Sequence, residues 1–583
     1  MRYLSPRTLL LLAFATVLPA SAQVVERWVQ RYDRQANQDS APSLAVDASG
    51  QVLVAGDARQ PGSDYLQDTL LMKYAGASGV LLWAQHGAQI YGGSPARSPL
   101  ALDASGNAVI TGSSETKFST AKYASADGAV LWGPVHNEIL SDHPHTGASA
   151  VTVDRDGHVI VTGTFASHQY IDGDYYTAKY DGTGGTLLWE HFYQGPAGSG
   201  DYPVALAADH LGNVIVTGNS CPAGCAMDWF TVKYAASNGA VLWEQRFTGN
   251  WDRYEYVTDL AVDATGNVFV TGSGQGDNST DWYLVKYAAG DGAVLWKLRW
   301  AGPAYYGEDF PSALVVDAAG NVIITGISEA LNGWKGWRTA KYAAADGALL
   351  WERFYYGPGY GDHTPAALDL DAAGNVLVTG ATKAAGTAGT LDYYTVKYAV
   401  TDGSLLWEQR YNGPGNSLDV ATSVAATRDG GAVVTGTSSL GSLYTYTTIH
   451  YVPVSTPQPW RAQFFGANAN ASAAADDADP DHDGLPNLIE WGCGSNPATV
   501  SPPPGTPGRD GANFTFRYPR SAAAVTAGAL FAVEWSDTLA AGTWQSDDVI
   551  ETVLSNNGTL KQVLAVLPEG SGRRFARLRV TAP

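Results

Sequence analysis

The stretch Leu260-Ala-Val-Asp-Ala-Thr-Gly-Asn-Val-Phe-Val-Thr-Gly272 predicts two β-strands joined by a tight turn. An Asp-x-x-Gly-Asn turn separates two apolar runs, and β-branched residues alternate along the second run. The chain continues as Asp281-Trp-Tyr-Leu-Val-Lys-Tyr287 and, after an Asp-Gly turn, as Ala293-Val-Leu-Trp296. Asx-Gly between apolar runs is the strongest short signal for a β-hairpin. The stretch and its continuation therefore predict a unit of four antiparallel strands.

This unit recurs through most of the chain. The glycine that ends the Val-Thr-Gly element falls at positions 56, 112, 163, 218, 272, 326, 380 and 436, with spacings of 51 to 56 residues. A Lys-Tyr pair marks the third strand of seven units, and His450-Tyr451 replaces it in the eighth. A fixed period near 50 residues indicates a solenoid, an array or a propeller. Four antiparallel strands repeated radially are typical of propeller blades.

The number of Leu-Trp elements, which mark the fourth strand, favours a closed ring. Seven copies end at Trp83, Trp132, Trp189, Trp243, Trp296, Trp351 and Trp407. The missing eighth copy lies at the start of the chain as Arg27-Trp28-Val29-Gln30-Arg31-Tyr32, which matches Trp407-Glu-Gln-Arg-Tyr411. This displaced strand predicts pairing into the last unit, which covers an open sheet edge. We predict an all-β chain with an eight-bladed β-propeller over residues 23–453. Seven blades or a distorted ring is the alternative.

The repeated residues also carry a family resemblance. The segment Val262-Asp-Ala-Thr-Gly-Asn-Val-Phe-Val-Thr-Gly272 resembles the bacterial SBBP-type β-propeller repeat. The segment Lys341-Tyr-Ala-Ala-Ala-Asp-Gly-Ala-Leu-Leu-Trp351 is similar to the tryptophan-docking element of pyrroloquinoline-quinone-type (PQQ-like) propellers. The resemblance covers roughly residues 25–452 and implies a propeller, but propellers host many activities. A quinone enzyme is disfavoured because the adjacent cysteine pair of those dehydrogenases is missing from this sequence.

The two ends of the repeat region and the cysteines indicate an exported protein. Residues 1–22 have the pattern of a signal peptide, with Arg2 and Arg7, an apolar core over Leu9–Leu18 and the small residues Ala20-Ser21-Ala22. We expect a secreted chain that is periplasmic, extracellular or associated with the cell surface, without a transmembrane segment in its mature form. In such a compartment Cys221 and Cys225 could form a disulfide, while Cys493 would be a buried thiol.

The charge balance restricts the partners. The formal net charge is −21, and loss of Arg2 and Arg7 with the signal peptide makes it more negative. A field of this sign repels nucleic acids and anionic membranes. It favours cations, basic partners and neutral ligands.

Residues 454–511 form a predicted linker with a calcium loop at 479–490. The sequence Asp479-Pro-Asp-His-Asp-Gly-Leu-Pro-Asn-Leu-Ile-Glu490 fits the spacing of an EF-hand loop. Calcium takes hard oxygen ligands, and the predicted ligands are Asp479, Asp481, Asp483, Leu485 through its carbonyl, Asn487 and Glu490. The loop resembles EF-hand loops and their dockerin and thrombospondin-type relatives. Pro486 and the lack of a second copy favour a structural calcium clamp over a sensor. A solvated acidic turn is the alternative.

Residues 512–583 form a predicted C-terminal β domain. Apolar runs at Phe514–Tyr518, Leu530–Trp535 and Arg574–Val580 are typical of strands and favour a small β-sandwich. The sequence leaves binding, tethering and secretion open as roles for this domain.

The variable loops of the propeller are the predicted ligand face. They combine acids with aromatic residues, a composition that suits sugars or basic peptides. The candidates are Asp201, Tyr202, Trp251, Asp252, Tyr254, Tyr306, Asp309, Tyr360 and Asp362. Alternatively these residues cap strands and pack the loops.

We expect a noncatalytic, monomeric binding or scaffold protein whose extracellular ligand is a carbohydrate or a protein. The repeated polar residues have structural explanations, such as Asx turns for the aspartates of the first hairpins. The alternative is a propeller enzyme acting on polysaccharide, which would need two suitably spaced carboxylates or a histidine metal site at the channel. Asp142-His143-Pro-His145 is the compact His/Asp cluster of the sequence.

Overall fold

The chain divides into two compact units, Met1–Val452 and Pro453–Pro583. The computed structural model describes residues 24–32, 40–59, 67–86, 100–114, 117–137, 147–167, 170–196, 200–222, 227–249, 255–276, 279–304, 306–357, 363–383, 390–440, 443–453, 458–466, 472–511, 513–521, 524–525, 529–538, 543–557, 560–568 and 575–581. The predicted signal peptide, residues 1–22, lies outside these ranges. No helix within them is long and apolar enough to cross a membrane.

Unit 1 is all-β, and its described residues form eight antiparallel four-stranded sheets. Strand β1 (Val24–Tyr32) belongs to the last of them. Sheet 1 contains β2 (Ser40–Val46), β3 (Val52–Arg59), β4 (Gln67–Tyr74) and β5 (Leu81–His86); sheet 2 contains β6 (Leu100–Leu102), β7 (Ala108–Ser114), β8 (Lys117–Tyr123) and β9 (Val130–Asn137). Sheet 3 contains β10 (Gly147–Val153), β11 (Val159–Ser167), β12 (Tyr170–Tyr180) and β13 (Leu187–Tyr193); sheet 4 contains β14 (Asp201–Ala208), β15 (Val214–Ser220), β16 (Asp228–Tyr234) and β17 (Val241–Phe247).

The second half of unit 1 continues the same order. Sheet 5 contains β18 (Tyr256–Val262), β19 (Val268–Gln275), β20 (Thr280–Tyr287) and β21 (Val294–Trp300); sheet 6 contains β22 (Phe310–Val316), β23 (Val322–Glu329), β24 (Lys335–Tyr342) and β25 (Leu349–Tyr355). Sheet 7 contains β26 (Thr364–Leu370), β27 (Val376–Lys383), β28 (Leu391–Tyr398) and β29 (Leu405–Tyr411). Sheet 8 contains β30 (Asp419–Ala426), β31 (Ala432–Leu440) and β32 (Leu443–Pro453), and β1 is its fourth strand beside β32.

The turn in the first hairpin of sheets 1 to 7 is held by an aspartate, and Thr427 takes its place in sheet 8. In sheet 5 one carboxylate oxygen of Asp263 accepts hydrogen bonds from the backbone N–H groups of Thr265 and Asn267, at 3.0 and 2.9 Å. Gly266 has φ +87°, which other residues adopt only with strain. The same Asx turn explains why Asp-x-x-Gly recurs with the period of the repeat.

A buried ion pair connects this turn to the third strand in seven sheets. The lysine ammonium lies 2.6–3.4 Å from the turn aspartate in the pairs Lys73–Asp47, Lys122–Asp103, Lys179–Asp154, Lys233–Asp209, Lys286–Asp263, Lys341–Asp317 and Lys397–Asp371. Burial raises the pKa of Asp209, but the hydrogen bonds from Lys233 and Asn213 outweigh this effect and hold the pKa below its usual value. The buried aspartate is therefore held in its charged form by its partners.

The same lysines join successive sheets. Lys233 of sheet 4 also donates to the carbonyl of Ala289 in sheet 5, at 2.9 Å, and the Trp243 indole donates to that carbonyl at 3.2 Å. In sheets 1 to 6 the lysine and the tryptophan of one sheet share a carbonyl of the next. Buried clusters that span two sheets lie beside these contacts, such as Trp243, Val257, Val268 and Tyr287.

The contacts continue from sheet 8 to sheet 1. The Trp28 indole of β1 donates to the carbonyl of Gly76 in sheet 1 at 2.8 Å, and His450 Nδ1 lies 3.0 Å from the same oxygen. The first strand of each sheet also contacts the first strand of the next, and β30 contacts β2. Contacts between successive sheets therefore run through all eight sheets and return from sheet 8 to sheet 1.

Unit 2 contains two short helices and two small sheets in its described residues. Its elements are α1 (Gln458–Phe465), a 3₁₀ turn (Ser472–Ala474), α2 (Asn487–Cys493), β33 (Thr506–Asp510), β34 (Asn513–Ser521), β35 (Leu530–Ser536), β36 (Ile550–Asn556), β37 (Leu560–Leu567) and β38 (Phe575–Thr581). The sheet orders are β33-β34-β37-β36 and β35-β38. Phe516, Tyr518, Val533, Val563 and Leu567 form a common core between the two sheets.

Candidate functional site

Three carboxylates converge in the acidic loop that precedes α2. Asp479, Asp481 and Asp483 each offer one oxygen atom, and these atoms lie within 4.8 Å of one another. Uncompensated negative charges at this separation repel each other strongly outside bulk water. A cation bound between them would offset this charge.

The backbone of this loop places the carboxylates inward. His482 and Gly484 have positive φ values, +60° and +88°, which reverse the chain. The N–H group of Gly484 donates to Asp479 at 2.9 Å, and the N–H groups of Leu485 and Ser501 donate to Asp483 at 2.8 and 2.6 Å. These hydrogen bonds fix the orientation of the Asp479 and Asp483 carboxylates.

Glu490 supplies a fourth carboxylate from α2. Its side chain is 0% exposed, and neither carboxylate oxygen has a hydrogen-bond partner within the described residues. Burial, followed by the charges of Asp481 and Asp483, raises the pKa of Glu490 to about 7. A buried carboxylate without donors is costly unless it binds a cation or a proton.

Asn487, at the start of α2, also presents an oxygen atom without a partner. Its Nδ2 donates to the carbonyls of Ala473 and Ala475 at 2.9 and 2.7 Å, which fixes the orientation of the amide. Its buried Oδ1 has no hydrogen-bond partner within the described part of unit 2. The three aspartates form one group of oxygen atoms, and the other predicted ligands, Leu485, Asn487 and Glu490, offer oxygen atoms of the hard kind that calcium takes.

Two acids predicted for the ligand face of unit 1, Asp201 and Asp309, are buried, and so is Asp419 at the equivalent position of sheet 8. Asp201, Asp309 and Asp419 are each 0% exposed. Each accepts a hydrogen bond from a glycine N–H in the preceding connection, at 2.6 Å from Gly195, 2.7 Å from Gly302 and 2.8 Å from Gly413. A Gly-Pro pair precedes each of these acids in the sequence. This recurrence is the signal by which the hydrogen bond between glycine and acid could have been predicted.

Arginines compensate the acids at the start of the third strands. Asp281 and Asp392 are almost fully buried. Asp281 pairs with Arg299 of the neighbouring fourth strand, and Asp392 pairs with Arg410 at 3.5 Å. Each of these two buried carboxylates therefore has an arginine as its ion-pair partner within the same sheet.

The raised pKa of Asp309 gives a testable pH dependence of stability. Burial, with a contribution from the charge of Asp281, raises its pKa to about 6. Because this value lies above that of an unfolded aspartate, the stabilisation from its protonated form is present below about pH 4 and is lost as pH rises through 6. We expect the wild-type protein to gain about 1–3 kcal/mol relative to Asp309→Asn between pH 7 and pH 4. Denaturation midpoints of both proteins across this range measure the difference, and Asp127→Asn at an exposed turn is the control. Parallel pH profiles would contradict the expectation.

Two of the aromatic candidates are accessible. Tyr306 is 76% exposed and Tyr202 is 39% exposed. Trp334 (37% exposed) and Leu331 (82% exposed) lie in the β23–β24 connection of sheet 6. The Lys335–Glu308 ion pair, at 2.8 Å, joins this connection to the loop that carries Tyr306. Sequence reasoning missed Trp334 and Lys335 because neither recurs with the repeat.

Several predicted residues lie outside the described ranges. These are Trp251, Asp252, Tyr254, Tyr360, Asp362, Cys225 and the cluster Asp142-His143-Pro-His145. Cys221 is buried, and its disulfide with Cys225 stays a prediction.

The first strands of all eight sheets line a cavity of about 800 Å³. Asp259 is the one ionisable side chain among its described lining residues. Its two carboxylate oxygens accept hydrogen bonds from the N–H groups of Leu260 and Leu314, at 2.9 and 3.0 Å. Asp259 therefore connects the inner strands of sheets 5 and 6.

No family model and no curated protein matches the sequence. Among solved structures, BamB from Moraxella catarrhalis is similar at 13% identity over 73% of this chain and 100% of that chain, with a TM-score of 0.41. Quinohemoprotein alcohol dehydrogenase from Comamonas testosteroni is 13% identical over 81% and 84% of the two chains, with a TM-score of 0.44. The WD40 domain of SCAP from fission yeast is 10% identical over 74% and 98%, with a TM-score of 0.41. At such low identity the similarity concerns the fold alone.

Proposed function

We propose that this chain is a secreted, noncatalytic binding protein whose eight-bladed propeller presents a ligand face and whose second unit holds structural calcium. The ring assignment is supported by the eight sheets, by β1 as the fourth strand of sheet 8, and by the contacts that return from β30 to β2. In this ring each sheet is one blade, and the N-terminal strand closes it.

The observation that carries the binding role is the contrast between acids and aromatics on one face. The acids Asp201 and Asp309 hold the loops, whereas Tyr306 and Trp334 project from them and are exposed. Rings on rigid loops lose little entropy when a ligand stacks on them. A neutral sugar suits this surface, since its C–H face can stack on the rings and its hydroxyl groups can bond to Glu308 and Lys335. We therefore favour a carbohydrate over a protein ligand.

Calcium is the proposed ion of the second unit. Asp479, Asp481, Asp483, Leu485, Asn487 and Glu490 would hold it, as the sequence spacing predicts. A bound divalent cation would compensate the buried charge of Glu490 and connect the loop to α2. In this role calcium stabilises the fold and takes no part in a reaction.

A depletion assay tests the binding role. The mature chain is mixed with insoluble polysaccharides in the presence of calcium, and the supernatant is measured for protein and for released sugar. We expect protein to be depleted without release of sugar, and Tyr306→Ala with Trp334→Ala to weaken binding about tenfold, equivalent to about 1.4 kcal/mol.

The control for this assay is Leu211→Ala. Leu211 is 62% exposed in a first hairpin, at the opposite end of the strands. Released sugar would establish the alternative, a polysaccharide-cleaving enzyme. Depletion by cell envelopes but by no polysaccharide would assign the face to a protein ligand.

A further inference from the structure

The fourth strands of sheets 1 to 7 begin with an exposed aliphatic pair. We call the two residues before the tryptophan of each of these strands the aliphatic belt; Val241 and Leu242 of β17 are one pair. All fourteen residues are valine or leucine. Thirteen of them are 39–57% exposed. They account for much of the large apolar surface exposed by the described residues.

The position of the fourth strand explains this exposure. In each sheet it lies at the edge opposite the first strand, and the first strands contact one another. In sheet 4 Leu242 is 48% exposed, whereas the next residue, Trp243, is 6% exposed and contacts sheet 5. The belt residues therefore contribute less to packing than the tryptophan beside them.

The eighth sheet shows that the fold accepts charged residues at this register. Its fourth strand, β1, carries Glu26 and Arg27 before Trp28, where sheet 7 carries Leu405 and Leu406. Glu26 and Arg27 are both exposed. Aliphatic side chains are thus not required there by the strand or by its neighbours, although they recur in seven sheets.

Acidic residues flank the belt in sheets 2 to 7, whereas sheet 1 has none beside its pair and Lys297 follows the tryptophan of sheet 5. Exposed aspartates occupy the preceding turn in four sheets, at Asp127, Asp291, Asp346 and Asp402, and Glu190, Glu244 and Glu408 follow the tryptophan as exposed residues in three. The whole chain has a formal charge of −21, which opposes association with a second copy or with an anionic membrane. A surface that is both aliphatic and acidic complements a partner that is aliphatic and basic.

We propose that the aliphatic belt binds amphipathic basic polypeptide segments, with one site on each of sheets 2 to 7, where an acidic residue flanks the aliphatic pair. Each segment would place aliphatic side chains on a valine–leucine pair and lysine or arginine near the adjacent acids. Several weak sites would let an extended or multimeric basic partner bind by avidity. The loop face that we propose for carbohydrate lies at the other end of the strands, so the two surfaces could act independently.

Calorimetric titration of the mature chain with a synthetic amphipathic helix of leucine and lysine tests this proposal. We expect several peptides to bind each chain, with affinity that falls at high salt. A peptide with glutamate in place of lysine should not bind. Equal binding of both peptides would overturn the proposal, as would saturation by a single peptide.

The belt itself is tested by giving two sheets the residue pair of sheet 8. The variant carries Val241→Glu and Leu242→Arg in sheet 4, and Val294→Glu and Leu295→Arg in sheet 5. We expect two fewer peptides bound per chain, with unchanged thermal stability and unchanged depletion by polysaccharide. Leu331→Thr, at an exposed leucine outside the belt, is the control. Unchanged peptide stoichiometry in the folded belt variant would overturn the proposal.

Discussion

Replacement of Lys233 by methionine should lower the free energy of unfolding of unit 1 by about 3–5 kcal/mol. The Lys233 ammonium lies 2.8 Å from Asp209, and the two side chains are 3% and 1% exposed. Removal of the lysine leaves the aspartate buried with its negative charge uncompensated, and also removes a hydrogen bond to Ala289 of the next sheet. Chemical denaturation followed by tryptophan fluorescence measures the loss.

The double variant Lys233→Met with Asp209→Asn separates charge from packing. The amide introduced by Asp209→Asn keeps an oxygen that can accept the turn N–H bonds from Leu211 and Asn213, so the hairpin is preserved. We expect the double variant to recover at least half of the loss. Lys297→Met, at an exposed lysine, should change stability by less than about 0.5 kcal/mol. Equal effects of Lys233→Met and Lys297→Met would contradict the role of the buried pair.

Calcium should stabilise unit 2, and Glu490→Gln should abolish the effect. At a calcium concentration 1,000 times the dissociation constant, binding to the folded state alone adds about 4.1 kcal/mol. The glutamine lacks the charge that calcium needs. It also removes the repulsion from Asp481 and Asp483 that the glutamate feels without the ion. We therefore expect the variant to melt higher than wild type in EGTA and lower than wild type in calcium.

Calorimetric melting in calcium and in EGTA measures this crossing. Asp510→Asn is the matched control, since Asp510 is an exposed acid of the same unit outside the loop. It should keep the full calcium response. A wild-type melting temperature that does not change with calcium would disprove the proposed ion site.

The repeat made much of unit 1 predictable. Turn residues, β-branched runs and the displaced Trp28 each have a local or periodic signature, so the strands and the place of β1 followed from spacing. The convergence of Asp479, Asp481 and Asp483 was also predictable, because alternate positions of one short loop bring these side chains together. Calcium as the ion bound there stays a prediction. The role of the repeated lysine could not be predicted from the sequence. Lys233 binds Asp209 of its own repeat and Ala289 of the next repeat, and the sequence pattern does not bring these partners together.

The loop acids and the aliphatic belt show the limits of reasoning from a pattern. The closeness of Asp309 to Tyr306 in the sequence suggested an accessible polar rim. In the structure the loop folds back, and the N–H group of Gly302 donates a hydrogen bond to the Asp309 carboxylate. The path of a loop depends on such contacts and not on composition. Likewise Val241 and Leu242 have the composition of a buried strand. Only the assembled sheet shows that they lie at its outer edge.

The pairing of β1 with sheet 8 has a consequence for how the chain is made. Arg27 contacts Asp429, a residue 402 positions later. At a synthesis rate of about 5–20 residues per second, the first strand waits roughly 20–80 s before its partner leaves the ribosome. During that time every other sheet can fold from neighbouring residues, whereas β1 has no edge to join. The pairing of β1 with sheet 8 is therefore the last strand pairing to form in unit 1, and a nascent chain that is released early exposes the apolar side chains of β1 to proteases and chaperones.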